Sequence, residues 1–268
     1  MRSKVKRKFK LNIYYPWLKF AFPILIFLFF FAGARGLIFR KVLEKEIIPR
    51  APMIVQARVP ERVFRGDLSG KKLVALTFDD GPSRITTPQL LDILRDKKAV
   101  ATFFELGTNA SWNPEIVKRV VEQGNELGSH TNSHQNLVQI SLMAVEDDKK
   151  QADMAFQEVL GEIPKIVRPP YGNFDERIME ILDAPVILWS VDTRDWESKD
   201  AEKIKEVVFS QTRDGAILLF HDIYQSTIDA IPEIIDRLRE EGFEFVTISE
   251  MATLKGVELE KGEYYREF

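Results

Sequence analysis

The chain of 268 residues reads as an α/β domain built on a parallel sheet, and three observations predict this. Short β-branched or aromatic runs alternate with longer stretches of helical period from Gly70 onward. About seven such units fall within roughly 185 residues. Polar clusters stand at the ends of the runs. Such alternation gives a parallel sheet, either closed into a barrel or doubly wound.

The N-terminal segment is of another kind. Residues 1–40 hold nine Lys or Arg and no acid, and Arg2, Lys4, Lys6, Arg7, Lys8 and Lys10 precede an apolar run from Phe20 to Ala34. A buried core helix would not carry six bases at its entrance. A signal peptide cleaved near Ala32-Gly33-Ala34 fits the short uninterrupted run. Extension to Phe39, with Tyr14, Tyr15 and Trp17 at the boundary, favours an uncleaved transmembrane helix. Either way the basic end stays cytoplasmic and the rest is exported: single-pass with an extracellular domain, or secreted if cleaved. Residues 41–70, with Pro49, Pro52 and Pro60 and no sustained period, read as a linker.

Residues 41–268 carry 29 bases against 41 acids, which argues against nucleic acid as a partner. With no Cys there are no disulfides and no lipidated Cys, and any metal site is confined to His and carboxylate ligands.

Strands are expected at Leu73 to Phe78, Val100 to Phe104, Lys165 to Arg168, Val186 to Val191, Ala216 to Phe220 and Phe243 to Ile248, with a weaker candidate at Asn125 to Ser129. Thr87-Pro88 and Asn113-Pro114 read as N-caps followed by Pro at the first helical position. Further helices fit Ser141 to Leu160, Asp175 to Leu182, Asp200 to Thr212 and Thr227 to Glu241.

All three histidines lie at strand-like ends. His130 and His134 stand four apart in SHTNSH, a spacing that can set two imidazoles on one side of a helical turn, and His221 closes AILLFHD. Asp79-Asp80-Gly81-Pro82 reads equally well as a turn by itself. Placement decides between the readings: TFDD, HTNSH, RPPYG, DTRDW and FHD each follow a run, and in a parallel βα barrel all would emerge on the C-terminal face. Arg168, before Pro169-Pro170, could then reach inward to a rim carboxylate. Asp192 and Asp195 could be turn formers, and Trp196 could stack on a sugar.

These five clusters, TFDDGP, HTNSH, RPPYG, DTRDW and LFHD, stand in the order found in the polysaccharide deacetylases of the NodB-homology group, carbohydrate esterase family 4. The chain resembles that family over residues 71 to about 252, and within it the peptidoglycan N-acetylglucosamine deacetylases. The resemblance implies a distorted (β/α)7 TIM-like barrel as catalytic domain over 71–255, followed by a tail at 256–268. It implies Asp80, His130 and His134 as ligands of a divalent metal, usually zinc, with cobalt, nickel or manganese as alternatives. It further implies Asp79 as general base paired with Arg168, and His221 as general acid held by Asp195. The Tyr171 backbone N–H would stabilise the oxyanion, with Trp196 and Leu219 lining the acetyl and sugar pocket. The implied activity is removal of acetyl groups from N-acetylglucosamine in peptidoglycan glycan strands. The same motifs also suit chitin oligomers, N-acetylmuramic residues or O-acetyl xylan. A catalytically silent wall-binding protein would lack the base, a ligand or the acid.

Overall fold

The structure is a computed structural model that describes Leu68 and residues 70–268. The expected anchor, residues 1–40, and residues 41–67 of the linker lie outside the described residues. Among the described residues no helix is long and apolar enough to cross a membrane.

An α/β fold with a parallel sheet is what forms. Strand β1, Lys72–Asp79, is buried at every position after its first, as a strand covered on both faces must be. It pairs in parallel with β2, Thr102–Glu105, with β6, Ala216–His221, and with β7, Phe243–Phe245. Beyond β2 lies β3, Glu126–Ser129, and beyond β6 lies β5, Val191–Asp192. A short strand β4, Val186–Ile187, pairs instead with β8, Tyr264–Tyr265.

Side chains alternate along β1 with the two-residue period of a strand. Val74, Leu76 and Phe78 pack outward on a cluster that includes Leu90, Val117, Ile204 and Ile231. These come from helices α1, Thr86–Asp96, α3, Pro114–Glu122, α7, Ala201–Gln211, and α8, Gln225–Glu240. Leu73 and Ala75 face the other way, among Phe104, Ile187, Ile217 and Met251. Each buried Leu or Phe contributes about 1.5–3 kcal/mol, so β1 is clamped on both faces. Thr77 and Asp79 continue the inward face, so the period that builds the core delivers Asp79 to the interior end.

Several expected elements form differently. Lys165 to Arg168 is not a strand: only Val167 bridges, to Ser129 on one side and Val186 on the other. Pro164 and Pro169 bound it and lack the N–H that a ladder needs. Val186 to Val191 is broken into β4 and β5, because the Ile187 and Leu188 carbonyls accept from the Arg168 side chain at 3.0 and 2.9 Å. Hydrogen bonding nevertheless runs on through this stretch: Ile187 N donates to Val167 O at 2.8 Å and Ser190 N to Ile217 O at 3.0 Å. The last run stops at Phe245. Thr247 and Glu250 then form a capping box that starts α9, Ile248–Leu254. Residues 256–268, read as a tail, supply β8.

Helix starts also shift. α1 begins at Thr86 with Ile85 as N-cap and no side-chain cap. The Thr87 hydroxyl instead accepts from Ser83 N and donates to Asp222. Pro114 does open α3, but Asn113 does not cap it; its amide donates to Asn109 O and Pro82 O. The caps of α4, Leu142–Leu160, of α5, Glu176–Leu182, and of α7 are side chains of Ser141, Asp175 and Asp200.

Candidate active site

Strand register sets the site. Asp79 ends β1 directly beside His221, which ends β6. Glu105 ends β2 beside Ser129 at the end of β3, and His130 follows. All four strand ends lie at one edge of the parallel sheet, where side chains from neighbouring strands converge.

At Asp79 the chain leaves the strand, and Asp80 takes a left-handed conformation, φ 75°. That bend turns the two adjacent carboxylates to different tasks. Asp79 Oδ1 accepts from Arg168 Nη1 at 2.7 Å. Asp80 Oδ1 lies 3.2 Å from His134 Nε2 and 3.5 Å from His130 Nε2, without a well-aligned hydrogen bond to either. The histidines reach it from a loop and not from a helical turn. Thr131 and His134 are both left-handed, φ 69° and 58°. Asp148 on α4 pins the loop by accepting from Asn132 N and Ser133 Oγ. α2, Gly107–Trp112, holds the other side, where the Asn109 amide donates to Asp80 O at 2.8 Å.

Arg168 is fully buried, and an unpaired charge there would cost several kcal/mol. Every arm is therefore engaged: Asp79 and Thr77 Oγ1 at Nη1, Ile187 O at Nε and Leu188 O at Nη2, with the guanidinium 4.1 Å from the Phe104 ring centroid. Only Asp79 Oδ2 is left facing the histidines, 3.8 Å from His130 Nε2.

His221 has its own support. Its Nδ1 lies 2.7 Å from Asp195 Oδ1, and Asp195 Oδ2 accepts from His221 N and from Thr227 Oγ1, each at 2.7 Å. Asp195 opens the short helix α6, Asp195–Ser198, and is fully buried. Burial opposes a charged His221, but the hydrogen bond and charge of Asp195 outweigh it, with Asp79 and Asp80 adding, and raise the imidazole to about 9. Asp195→Asn removes the leading favourable contribution. The alkaline limb of kcat/KM is then expected to move down by about 1–3 pH units, since His221 loses its proton as pH rises through its lowered pKa. A pH profile of the mutant that still breaks near 9 contradicts this.

Tyr171 follows Pro169-Pro170 in a left-handed conformation, φ 63°, and its ring meets His134 edge-on at 4.8 Å. Trp196 is 45% exposed, and its backbone N–H donates to Asp195 Oδ1 at 2.8 Å. Leu219 is nearly enclosed, and its carbonyl accepts from Thr193 Oγ1. Asp192 only accepts from Arg194 N, as a turn former does. A cavity of about 460 Å³ among Leu137, Val145, Ile166 and Leu182 reaches Thr131 and Asp148 beneath the histidine loop, but Asp79, Asp80, His130, His134, Arg168 and His221 do not line it. Chemistry and not size picks out the site.

A family profile described as polysaccharide deacetylase matches residues 67–184. The peptidoglycan-N-acetylglucosamine deacetylase PgdA of Listeria monocytogenes is 40% identical over 194 residues, 72% of this chain and 41% of that protein. A peptidoglycan-N-acetylglucosamine deacetylase of Bacillus cereus is 35% identical over 195 residues, 70% of this chain and 91% of the relative. Among solved structures, the peptidoglycan deacetylase PdaC from Bacillus subtilis aligns with a TM-score of 0.68 at 37% identity, covering 70% of this chain and 93% of that one. The chain belongs to the polysaccharide deacetylase family. It spans about two fifths of the length of relatives such as the Listeria protein.

Deacetylases of carbohydrate esterase family 4 are metal-dependent, and the donors of this member fit an ion. One ligand atom each from Asp80, His130 and His134 lies within 4.8 Å of the others. His130 Nδ1 is 2.7 Å from Arg168 O, so that nitrogen carries the proton and Nε2 keeps its lone pair toward Asp80. Burial holds His130 below its ordinary pKa, which also favours the neutral form.

Sequence reading missed the supports beneath this deacetylase-family site. Thr77 could have been found, since it shares the inward face with Asp79. Thr227, Asp148 and Asn109 meet the site only through tertiary packing. So do two buried acids: Glu105, with both oxygens unpartnered, and Asp222, pushed up to about 7 by burial. Asp222 packs so tightly on the turn after Asp80 that a Cβ on Gly81 would fall 2.5 Å from its Oδ2. Gly81→Ala must therefore shift either the Asp222 carboxylate or the turn that carries Asp80; if the turn moves, an affinity loss of about 10–100-fold for a divalent ion is expected by chelator competition. An unchanged affinity refutes a shift of the turn.

Proposed function

We propose that this chain is a metal-dependent deacetylase that hydrolyses the N-acetyl group of N-acetylglucosamine residues in peptidoglycan and releases acetate. The observation that carries this reading is the register of Asp79 with His221 across β1 and β6, next to the cluster of Asp80, His130 and His134. The circuit of hydrogen bonds through β6, β1, β2, β3, Val167 and the 186–192 stretch supports the distorted (β/α)7 barrel.

Asp80, His130 and His134 would hold the ion, with zinc the best match to a carboxylate and two imidazoles. Such an ion lowers the pKa of water and polarises the acetyl carbonyl. Asp79 Oδ2, the oxygen not bound by Arg168, receives the proton of the attacking water. Arg168 favours the ionised base by pairing with Oδ1. The C–O bond forms first, leaving the carbonyl oxygen as an oxyanion; its collapse breaks the amide C–N bond as His221 Nε2 delivers its proton to the departing nitrogen. Asp195 keeps that proton available by binding Nδ1. The Tyr171 N–H would face the developing oxyanion, and Trp196 and Leu219 would border the sugar and the acetyl methyl.

The named substrates of relatives support a wall glycan. PgdA is named for N-acetylglucosamine and PdaC, 38% identical over 185 residues, for N-acetylmuramic acid. A solved structure 30% identical is described as a mutant of a pseudoenzyme of the same family with restored enzymatic activity. Activity must therefore rest on the residues themselves, and here the base, the acid and all three metal donors are present. The basic and apolar N-terminal segment supports a membrane-anchored protein acting outside the cell. Purified full-length protein is expected to release acetate from peptidoglycan-derived oligomers, to stop on chelation and to recover with zinc. Release that persists after complete removal of metal contradicts the reading.

A further inference from the structure

The proton-donor side of the site carries a cation that the reaction does not use. Lys199 directly follows α6 in a left-handed conformation, φ 47°, and its N–H donates to Asp195 O at 3.0 Å. The residue that holds His221 thus also holds the Lys199 backbone. Lys199 Nζ lies 5.1 Å from the Tyr224 ring centroid, and the Tyr224 ring lies 6.0 Å from that of His221. Lys199 is exposed, and among the described residues no carboxylate lies within ion-pair distance of it. The neighbouring cation differs: Arg194 Nε donates to Glu197 Oε2 at 2.6 Å. Lys97, Lys118, Lys149, Lys205, Lys255 and Lys261 are likewise paired with acids.

A solvent-facing lysine is ordinary by itself. This one is fixed at both ends, by its backbone bond to Asp195 and by its ammonium over an aromatic face, a short step from the group that protonates the leaving amine. A partly exposed aromatic ring suits the apolar face of a sugar, and an unpaired ammonium beside it suits a carboxylate. Resting on the deacetylase reading of the site, we propose that Lys199 and Tyr224 form a neighbouring-sugar subsite that selects glycans whose adjacent sugar carries a carboxylate. In peptidoglycan that group is the lactyl carboxylate of the muramyl residue or the acidic peptide that extends it. Neutral chitin oligomers offer neither.

The test compares kcat/KM on three glycans of equal length: a chitin oligomer, a peptide-free oligomer alternating N-acetylglucosamine with N-acetylmuramic acid, and the same oligomer bearing peptide. Lys199→Gln is expected to lower the ratio of acidic to neutral glycan about 5-fold, through KM, and Lys199→Glu further. Added salt is expected to lower the wild-type ratio. A loss on the peptide-free oligomer assigns the lactyl carboxylate, and a loss confined to the peptide-bearing one assigns the peptide. A ratio within twofold of wild type on both overturns the subsite. If wild type releases acetate from none of the three, the deacetylase reading fails. Calorimetric binding of the same glycans to wild type and Lys199→Gln then still reads the subsite.

Discussion

Asp79→Asn is expected to lower kcat by about 10²–10⁴-fold while zinc stoichiometry stays normal. The substitution keeps the shape and an oxygen that can accept from Arg168, but removes the charge and the basic Oδ2 that faces the histidines. None of the three proposed metal donors is touched. Its cost in stability comes from Arg168, a fully buried cation that loses the one anionic contact it has among the described residues. Breaking a buried pair outright costs about 3–5 kcal/mol. Retained hydrogen bonds to Thr77, Ile187 and Leu188 moderate this. Assays therefore belong well below the lowered melting temperature, with acetate release and bound zinc read on the same sample. Near-normal release from a zinc-loaded mutant would sink the base assignment.

His130→Ala is expected to abolish both zinc binding and turnover. His130 is the most enclosed of the three donors, and its ring is aimed by the Arg168 carbonyl. Losing an outer partner of a ligand costs about 10–100-fold in affinity; losing the ligand itself exceeds that. The buried cavity left behind also lowers stability, so His134→Ala serves as a second variant at a more open position, where the side chain is 29% exposed. Full zinc occupancy in either purified mutant refutes its role as ligand.

The parallel sheet and the residues that converge on it were legible in the sequence because both follow from local pattern. The apolar run of β1 and the two-residue period place Asp79 at an interior strand end, and AILLFH does the same for His221. What was not legible depended on contacts between distant segments. Val186 to Val191 has the composition of one strand, yet two of its carbonyls serve a guanidinium 19 and 20 residues away in sequence. The loop of His130 and His134 bends through left-handed residues pinned by Asp148, so a spacing of four served the site without any helix. Thr247 and Glu250 did advertise the start of α9, but the β-branched residues before them extended the strand reading too far. Glu105 shows the opposite limit, for nothing in TFFEL distinguishes a buried, unpartnered carboxyl from an exposed one.

The proposed reaction removes the acetyl group from the N-acetylglucosamine residues of the wall. The direct measurement is mass spectrometry of muropeptides from peptidoglycan incubated with the zinc-loaded protein, alongside the Asp79→Asn variant. The expected result is the loss of one acetyl mass per disaccharide, localised by fragmentation to the glucosamine residue, with wild type and not with the variant. Muropeptides that remain fully acetylated, or loss localised only to the muramic residue, would contradict it.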